Sequence, residues 1–182
     1  MKALKLPFEF KADLIAEEIA QFSTEDYYVI YNNYVPADKL LSKHLIEPLA
    51  IEDGLPKFLP NEALQKCPYL LSILDTFQCK KETFRIHNLA AGAHIKPHRD
   101  FLCGLEHGKV RLHIPVQTKA EVRLKVEGED INMQPGECWY CNFHLEHEVQ
   151  NNSDQDRIHL IMDCLVNDWL KELFQQAQVG KA

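Results

Sequence analysis

Val110-Arg111-Leu112-His113-Ile114-Pro115-Val116 alternates aliphatic side chains with basic ones. Successive residues of a β-strand point to opposite faces of a sheet, so one face of this strand is dry and the other carries Arg111 and His113. The same period of two runs through Phe84-Arg85-Ile86-His87-Asn88-Leu89 before it and Arg157-Ile158-His159-Leu160-Ile161-Met162-Asp163 after it. Glu121-Val122-Arg123-Leu124-Lys125-Val126 alternates as a strand with one face in solvent, and Glu137-Cys138-Trp139-Tyr140 adds another. Ala91-Gly92, Glu127-Gly128-Glu129-Asp130 and Pro135-Gly136 punctuate these runs as turns. Helices followed by about seven or eight short strands with tight turns predict a mainly β chain with N-terminal helices. The expected architecture is a jelly-roll, cupin-like barrel buttressed by helices.

The first third reads differently. From Phe10 to Phe22, the apolar residues Ile15, Ile19 and Phe22 recur at helical spacing. Pro36-Ala37-Asp38-Lys39-Leu40-Leu41 resembles a helix start, with proline in the first turn. A third helix begins at Cys67-Pro68-Tyr69 and carries Leu70, Leu71 and Leu74. Tyr27-Tyr28-Val29-Ile30-Tyr31 reads as a strand, and Gly54, Pro56 and Pro60 as a loop. Residues 1–80 are thus expected to form a mostly helical support, 81–165 the jelly-roll core, and 166–182 a C-terminal helix. That last helix is capped by Asn167 or Asp168 and has Leu170, Leu173, Phe174 and Ala177 on one side. No repeat or linker divides the chain, so a single domain over 1–182 is expected.

Composition narrows the partners. Of 182 residues, 46% are hydrophobic and 26% charged, which is globular rather than disordered. A net charge of -7 argues against a nucleic-acid partner held through its phosphates. No apolar run approaches the roughly 20 residues of a membrane span, and the basic N-terminus lacks the apolar segment of a signal peptide. A cytoplasmic, non-membrane protein is expected. The six cysteines then read as free thiols, including the Cys138-Trp139-Tyr140-Cys141 pair inside a strand-like run.

The chemistry lies in a set of residues. Lys96-Pro97-His98-Arg99-Asp100 holds a histidine and a carboxylate two apart, which point the same way on a strand or its fraying end. His147 follows His98 by 49 residues, and Arg157 comes ten residues later. Two histidines and a carboxylate on one face leave three positions of an octahedral metal open, as in non-haem Fe(II) oxygenases. A bidentate arginine downstream matches the far carboxylate of 2-oxoglutarate. Arginine on a barrel's inner face is costly unless an anion meets it, which applies to both Arg157 and Arg111. His113 and His159 read as pocket-lining groups or as hydrogen-bonded core histidines. His94 and His107 read as loop residues, and His144, beside Glu146 and His147, is a competing ligand.

His98-Arg99-Asp100, Arg111-Leu112-His113, Gly136-Glu137-Cys138-Trp139, His147-Glu148-Val149 and Arg157 through Asp163 together resemble the aspartyl/asparaginyl β-hydroxylase family over roughly residues 80 to 165. The resemblance implies a double-stranded β-helix that uses Fe(II) and 2-oxoglutarate with O2 on a small-molecule substrate. It implies that His98 and His147 bind iron, that Arg157 holds the distal carboxylate of 2-oxoglutarate, and that Arg111 and His113 lie near co-substrate or substrate. Asp100, at the His-x-Asp offset, is expected as third ligand. It stands where the animal peptide hydroxylases have glycine. The Pro-His-Arg-Asp form is more similar to the bacterial hydroxylases of free amino acids, such as the proline cis-4-hydroxylases. A free amino acid or amino-acid side chain is therefore the expected substrate. The alternatives are a peptidyl Asp/Asn β-hydroxylase, a non-catalytic cupin-like binding protein, and a metal-dependent cupin enzyme without an oxo-acid co-substrate.

Overall fold

The computed structural model describes residues 1–179. Its order is β1 (Ala3–Glu9), α1 (Ala12–Ile19), β2 (Tyr28–Val29), β3 (Leu40–His44), β4 (Ile46–Glu52), β5 (Leu55–Pro60), α2 (Glu62–Gln65) and α3 (Pro68–Thr76). Then come β6 (Lys81–Leu89), β7 (His94–His98), β8 (Lys109–Gln117), β9 (Val122–Val126), β10 (Glu129–Ile131), β11 (Glu137–Cys141), β12 (His147–Asn151), β13 (Arg157–Leu165) and α4 (Asp168–Val179). Seven strands form a major sheet in the order β1-β11-β8-β13-β6-β3-β2, and four form a minor sheet, β10-β9-β12-β7. The two face each other as a jelly roll, with every strand pairing among the described residues antiparallel.

The alternation of β6, β8 and β13 decides what lies on each face of the major sheet. Phe84, Ile86, Leu112, Ile114, Leu160 and Met162 turn outward and are at most 2% exposed. They pack against Ile15 and Ile19 of α1, Leu70 and Ile73 of α3, and Leu170 and Phe174 of α4. Fully burying each such side chain contributes about 1.5–3 kcal/mol, so this layer fixes the sheet against its helices. Asn167 accepts from the Leu170 backbone N–H at 3.0 Å and caps α4. Residues 180–182, counted in the expected C-terminal helix, lie outside the described residues. A second, smaller core sits between the sheets around Leu89, Leu124, Val126, Phe143 and Val149.

The first eighty residues are not mostly helical, and the expectation is corrected at three places. Ala3–Glu9 is an edge strand of the major sheet, burying Leu4 and Leu6 against β11. Pro7 is tolerated there because an edge strand can lack one ladder donor. The helix expected from Pro36 is a single 3-10 turn over Ala37–Lys39, which gives way to β3. Leu40 and Ser42 face inward on β3, and the Ser42 hydroxyl donates to the Ile86 carbonyl at 3.0 Å. The loop expected around Gly54 is the β4–β5 hairpin. Asp53 and Gly54 both have positive φ, 51° and 76°, as a tight two-residue hairpin loop requires. His94, expected in a loop, opens β7, with its Nε2 2.9 Å from Glu148 Oε2.

Candidate active site

β13 runs down the middle of the major sheet with β6 on one side and β8 on the other. Its register sets Asp163 beside Thr83 and Arg111, Ile161 beside Arg85 and His113, His159 beside His87, and Arg157 beside Leu89. Cross-strand partners share a face. The inner face of these three strands therefore carries Arg85, His87, Arg111, His113, Arg157, His159 and Asp163. Opposite stand β7 and β12 of the minor sheet. Between them is a cavity of about 470 Å³, bordered by both sheets, Phe143 and the segment Tyr28–Asn32.

Three side chains able to ligate a metal meet on the minor-sheet side. His98, the last residue of β7, is the cross-strand partner of His147, the first residue of β12, and the ladder is irregular just after it. Their rings lie 4.2 Å apart. Asp100, two residues on, is pinned by its backbone N–H donating to the Phe143 carbonyl at 2.8 Å. The ligand atoms of His98, Asp100 and His147 lie within 4.8 Å of one another, the one such group among the described residues. The ring orientations suit a metal. His98 Nδ1 is 2.8 Å from the Lys96 carbonyl, and His147 Nδ1 is 3.0 Å from the Leu145 carbonyl. A carbonyl only accepts, so each Nδ1 carries the proton and each Nε2 keeps its lone pair. His98 Nε2 is 3.8 Å from Asp100 Oδ1. Burial, with His98 nearby, pushes the pKa of His147 down to about 4, so it is a neutral donor at ordinary pH. Tyr34 stacks on the outer side of His98 at 4.3 Å. His144, the competing ligand, instead packs edge-on against His107 at 4.1 Å.

Arg111 does not offer a free fork. Its Nε donates to Asp163 Oδ1 at 2.6 Å and its Nη2 to Asp163 Oδ2 at 3.0 Å, while Nη1 donates to Asp100 Oδ2. Asp163 is 2% exposed. Despite that burial, Arg111 holds its carboxyl down at about 2. Arg157 is the opposite case. It is 3% exposed, and no carboxylate among the described residues lies within ion-pair distance. Burial without an anion pulls its pKa down to about 10. Among the described residues, its one close polar partner is His159 Nδ1 at 3.1 Å. Arginine only donates, so His159 Nδ1 accepts. His113 Nδ1, 3.3 Å from the same atom, then carries the proton. His113 Nε2 is left buried and without a partner. Burial and then Arg157 push both histidines well below their ordinary pKa, so both are neutral.

Phe143 lines the cavity against His147 and His113 at ring distances of 4.5 and 5.0 Å. Tyr140 belongs to the helix-side core, where its hydroxyl accepts from the Leu105 N–H at 3.0 Å. Trp139 donates to Glu137 Oε2 at 2.8 Å. All six cysteines are free, and burial raises the thiol pKa of Cys138 and Cys141. Sequence reasoning did not single out Arg85 and His87 as site residues. Their signal was present, because they share the alternation phase of Leu89, the partner of Arg157.

The sequence profile of Aspartyl/Asparaginyl beta-hydroxylase matches residues 55–166, more than half of the chain. The chain belongs to this family. It is an oxidoreductase of the Fe(II)- and 2-oxoglutarate-dependent oxygenase type. Among solved structures, it is similar to an oxidoreductase of the 2OG-Fe(II) oxygenase family from Burkholderia pseudomallei (TM-score 0.59, 14% identity, 90% of this chain and 85% of that one). It is also similar to a prolyl-4-hydroxylase from Pseudomonas putida (TM-score 0.53, 16% identity, 91% and 93%). A non-haem α-ketoglutarate-dependent epimerase from nogalamycin biosynthesis superposes at TM-score 0.55 with 9% identity over 90% and 78%. At these identities the likeness is one of fold, and it spans a hydroxylase and an epimerase. No helix among the described residues is long and apolar enough to cross a membrane.

Proposed function

We propose that His98, Asp100 and His147 hold Fe(II), that Arg157 binds the distal carboxylate of 2-oxoglutarate, and that the enzyme hydroxylates an unactivated C–H of a free amino acid or an amino-acid side chain. The observation that carries this reading is the paired orientation of the histidines: each Nδ1–H is spent on a backbone carbonyl, so both Nε2 lone pairs and Asp100 Oδ1 are left to one ion. When bound, Fe(II) with 2-oxoglutarate and O2 would supply the oxidising power, at the expense of converting 2-oxoglutarate to succinate and carbon dioxide. The chain's own residues bind, orient and exclude. Arg157 offers a desolvated fork to a carboxylate, aligned by His159. His113, with its free Nε2 between that end and the triad, faces the co-substrate. Arg111, engaged by two carboxylates, acts through Asp100 by fixing which oxygen faces the metal. Phe143, Ile95 and Val149 keep water from the reacting centre. A cavity of about 470 Å³ matches a small substrate better than an extended peptide groove.

Anaerobic Fe(II) titration of the wild type, His98→Ala and His147→Ala tests the ligand set. Both substitutions are expected to abolish or severely weaken binding, because two remaining ligands rarely retain iron in water. Undiminished affinity in both would place the metal elsewhere.

A further inference from the structure

Arg85 is a part-buried guanidinium on the cavity wall that the reading above leaves unused. It lies on β6 beside Ile161, in the same cross-sheet row as His113, and it borders the cavity. Its Nε is buried with no acceptor, and its nearest carboxylate oxygen, Asp163 Oδ2, is 4.0 Å from Nη2. That oxygen already accepts from Arg111 at 3.0 Å. Arg85 therefore has only the outer edge of an occupied carboxylate. A buried guanidinium without an anion is costly unless a ligand brings one.

The charges point the same way. Arg85, Arg111 and Arg157 carry three positive charges, Asp100 and Asp163 two negative, and His87, His113 and His159 are neutral. Fe(II) and the 2-oxoglutarate dianion cancel. One positive charge remains, and among these three guanidinium groups Arg85 is the one left with only a shared carboxylate at 4.0 Å. Its position separates it from Arg157. Arg157 also borders a second, smaller hollow beside β9 and β10, whereas Arg85 does not. The strands β3 and β2 extend the sheet beyond β6 toward the Tyr28–Asn32 wall of the cavity. The two forks thus serve opposite ends. Asp100 is the single carboxylate among the described residues of the cavity wall, and Arg111 engages both it and Asp163, so an ammonium group finds no free counter-charge beside Arg85.

We infer that Arg85 binds a carboxylate of the substrate and so selects a substrate that enters the cavity as a carboxylate, with any amino group acylated or left at the mouth. This rests on the proposed co-substrate role of Arg157 and is tested separately from it. The probes are N-acetyl-amino acids and straight-chain monocarboxylates, each matched with its primary amide. The first readout is the visible band of the anaerobic Fe(II)·2-oxoglutarate protein, titrated with each probe. The second is the Arg85 Nε–H resonance in labelled protein without iron, assigned by its loss in Arg85→Gln. Carboxylates are expected to perturb both signals, and their amides neither. Arg85→Gln should weaken carboxylate binding roughly 10- to 100-fold while 2-oxoglutarate affinity stays unchanged, and Arg85→Lys should restore part of it. Equal binding of amides, equal binding by Arg85→Gln, or no carboxylate perturbing either signal overturns the inference. Failure of the iron band in the wild type counts against the proposed function, and the Arg85 resonance still decides the inference.

Discussion

Replacing Asp163 by asparagine separates the support of the site from its ligands. Asp163 is 2% exposed and takes two hydrogen bonds from Arg111, at 2.6 and 3.0 Å. Asparagine keeps the shape and one acceptor oxygen but removes the charge and turns two donors toward the guanidinium. Holding the carboxyl at about 2 against an ordinary 3.8 corresponds to about 2–3 kcal/mol of stabilisation of the ionised form. Removing one partner of a buried pair typically costs about 3–5 kcal/mol. Because asparagine retains one acceptor, the lower range is expected, about 2–3 kcal/mol. In a chain of this size that lowers Tm by roughly 4–12 °C. The assay is urea unfolding of wild type and Asp163→Asn, repeated as a pH series. The folded carboxyl has the lower pKa, so its stabilisation is complete above about pH 4 and is lost as pH falls toward 2. The wild type should lose that increment over this window, and Asp163→Asn should not. A cost below about 1 kcal/mol, or the same acid slope in both proteins, would refute the buried-pair reasoning.

Asp100→Ala should lower Fe(II) affinity and activity far more than stability, since Asp100 is partly exposed and belongs to the proposed metal triad; a metal-bound structure with Asp100 turned to solvent would contradict this. Arg111→Ala should do both, destabilising by about 3–5 kcal/mol by leaving Asp163 buried and unpaired, and weakening the metal site by releasing Asp100; unfolding and Fe(II) titration measure the two effects. Cys138 and Cys141 should resist thiol-specific labelling in the native protein, because both are fully buried with raised pKa, and rapid labelling would show that β11 opens.

The parts legible in the sequence were those in which local period and burial agree. β6, β8 and β13 each have an aliphatic face on helices and a polar face on the cavity, so alternation alone located them and their inward residues. α1, α3 and α4 showed because Ile15 and Ile19, or Leu170 with Leu173 and Phe174, keep helical spacing toward one core. β1 was missed although Leu4 and Leu6 also alternate, because its partner β11 lies more than 130 residues away and pairing at that range leaves no local trace. The β4–β5 hairpin was hidden because Leu49, Ile51 and Leu55 are exposed, so no buried face marks it. The carboxylates that hold Arg111 were both in quoted motifs. What the sequence could not show was the register that sets Asp163 beside Arg111, and hence that Arg111 is occupied while Arg157 is not.

The proposed site joins a facial metal triad to a buried Arg157 that meets no carboxylate among the described residues. Its most direct test is the anaerobic titration of Fe(II)-loaded protein with 2-oxoglutarate, read by the weak visible charge-transfer band of the chelate, in wild type, Arg157→Ala and Arg157→Lys. A charged hydrogen-bonded pair in this dry setting contributes about 2–3 kcal/mol, so the alanine variant should bind 2-oxoglutarate roughly 30- to 150-fold more weakly. The lysine variant should recover only part, lacking the planar fork, and Fe(II) affinity should stay at the wild-type value in both. An unchanged 2-oxoglutarate affinity in Arg157→Ala, or no band in the wild type, would contradict the account.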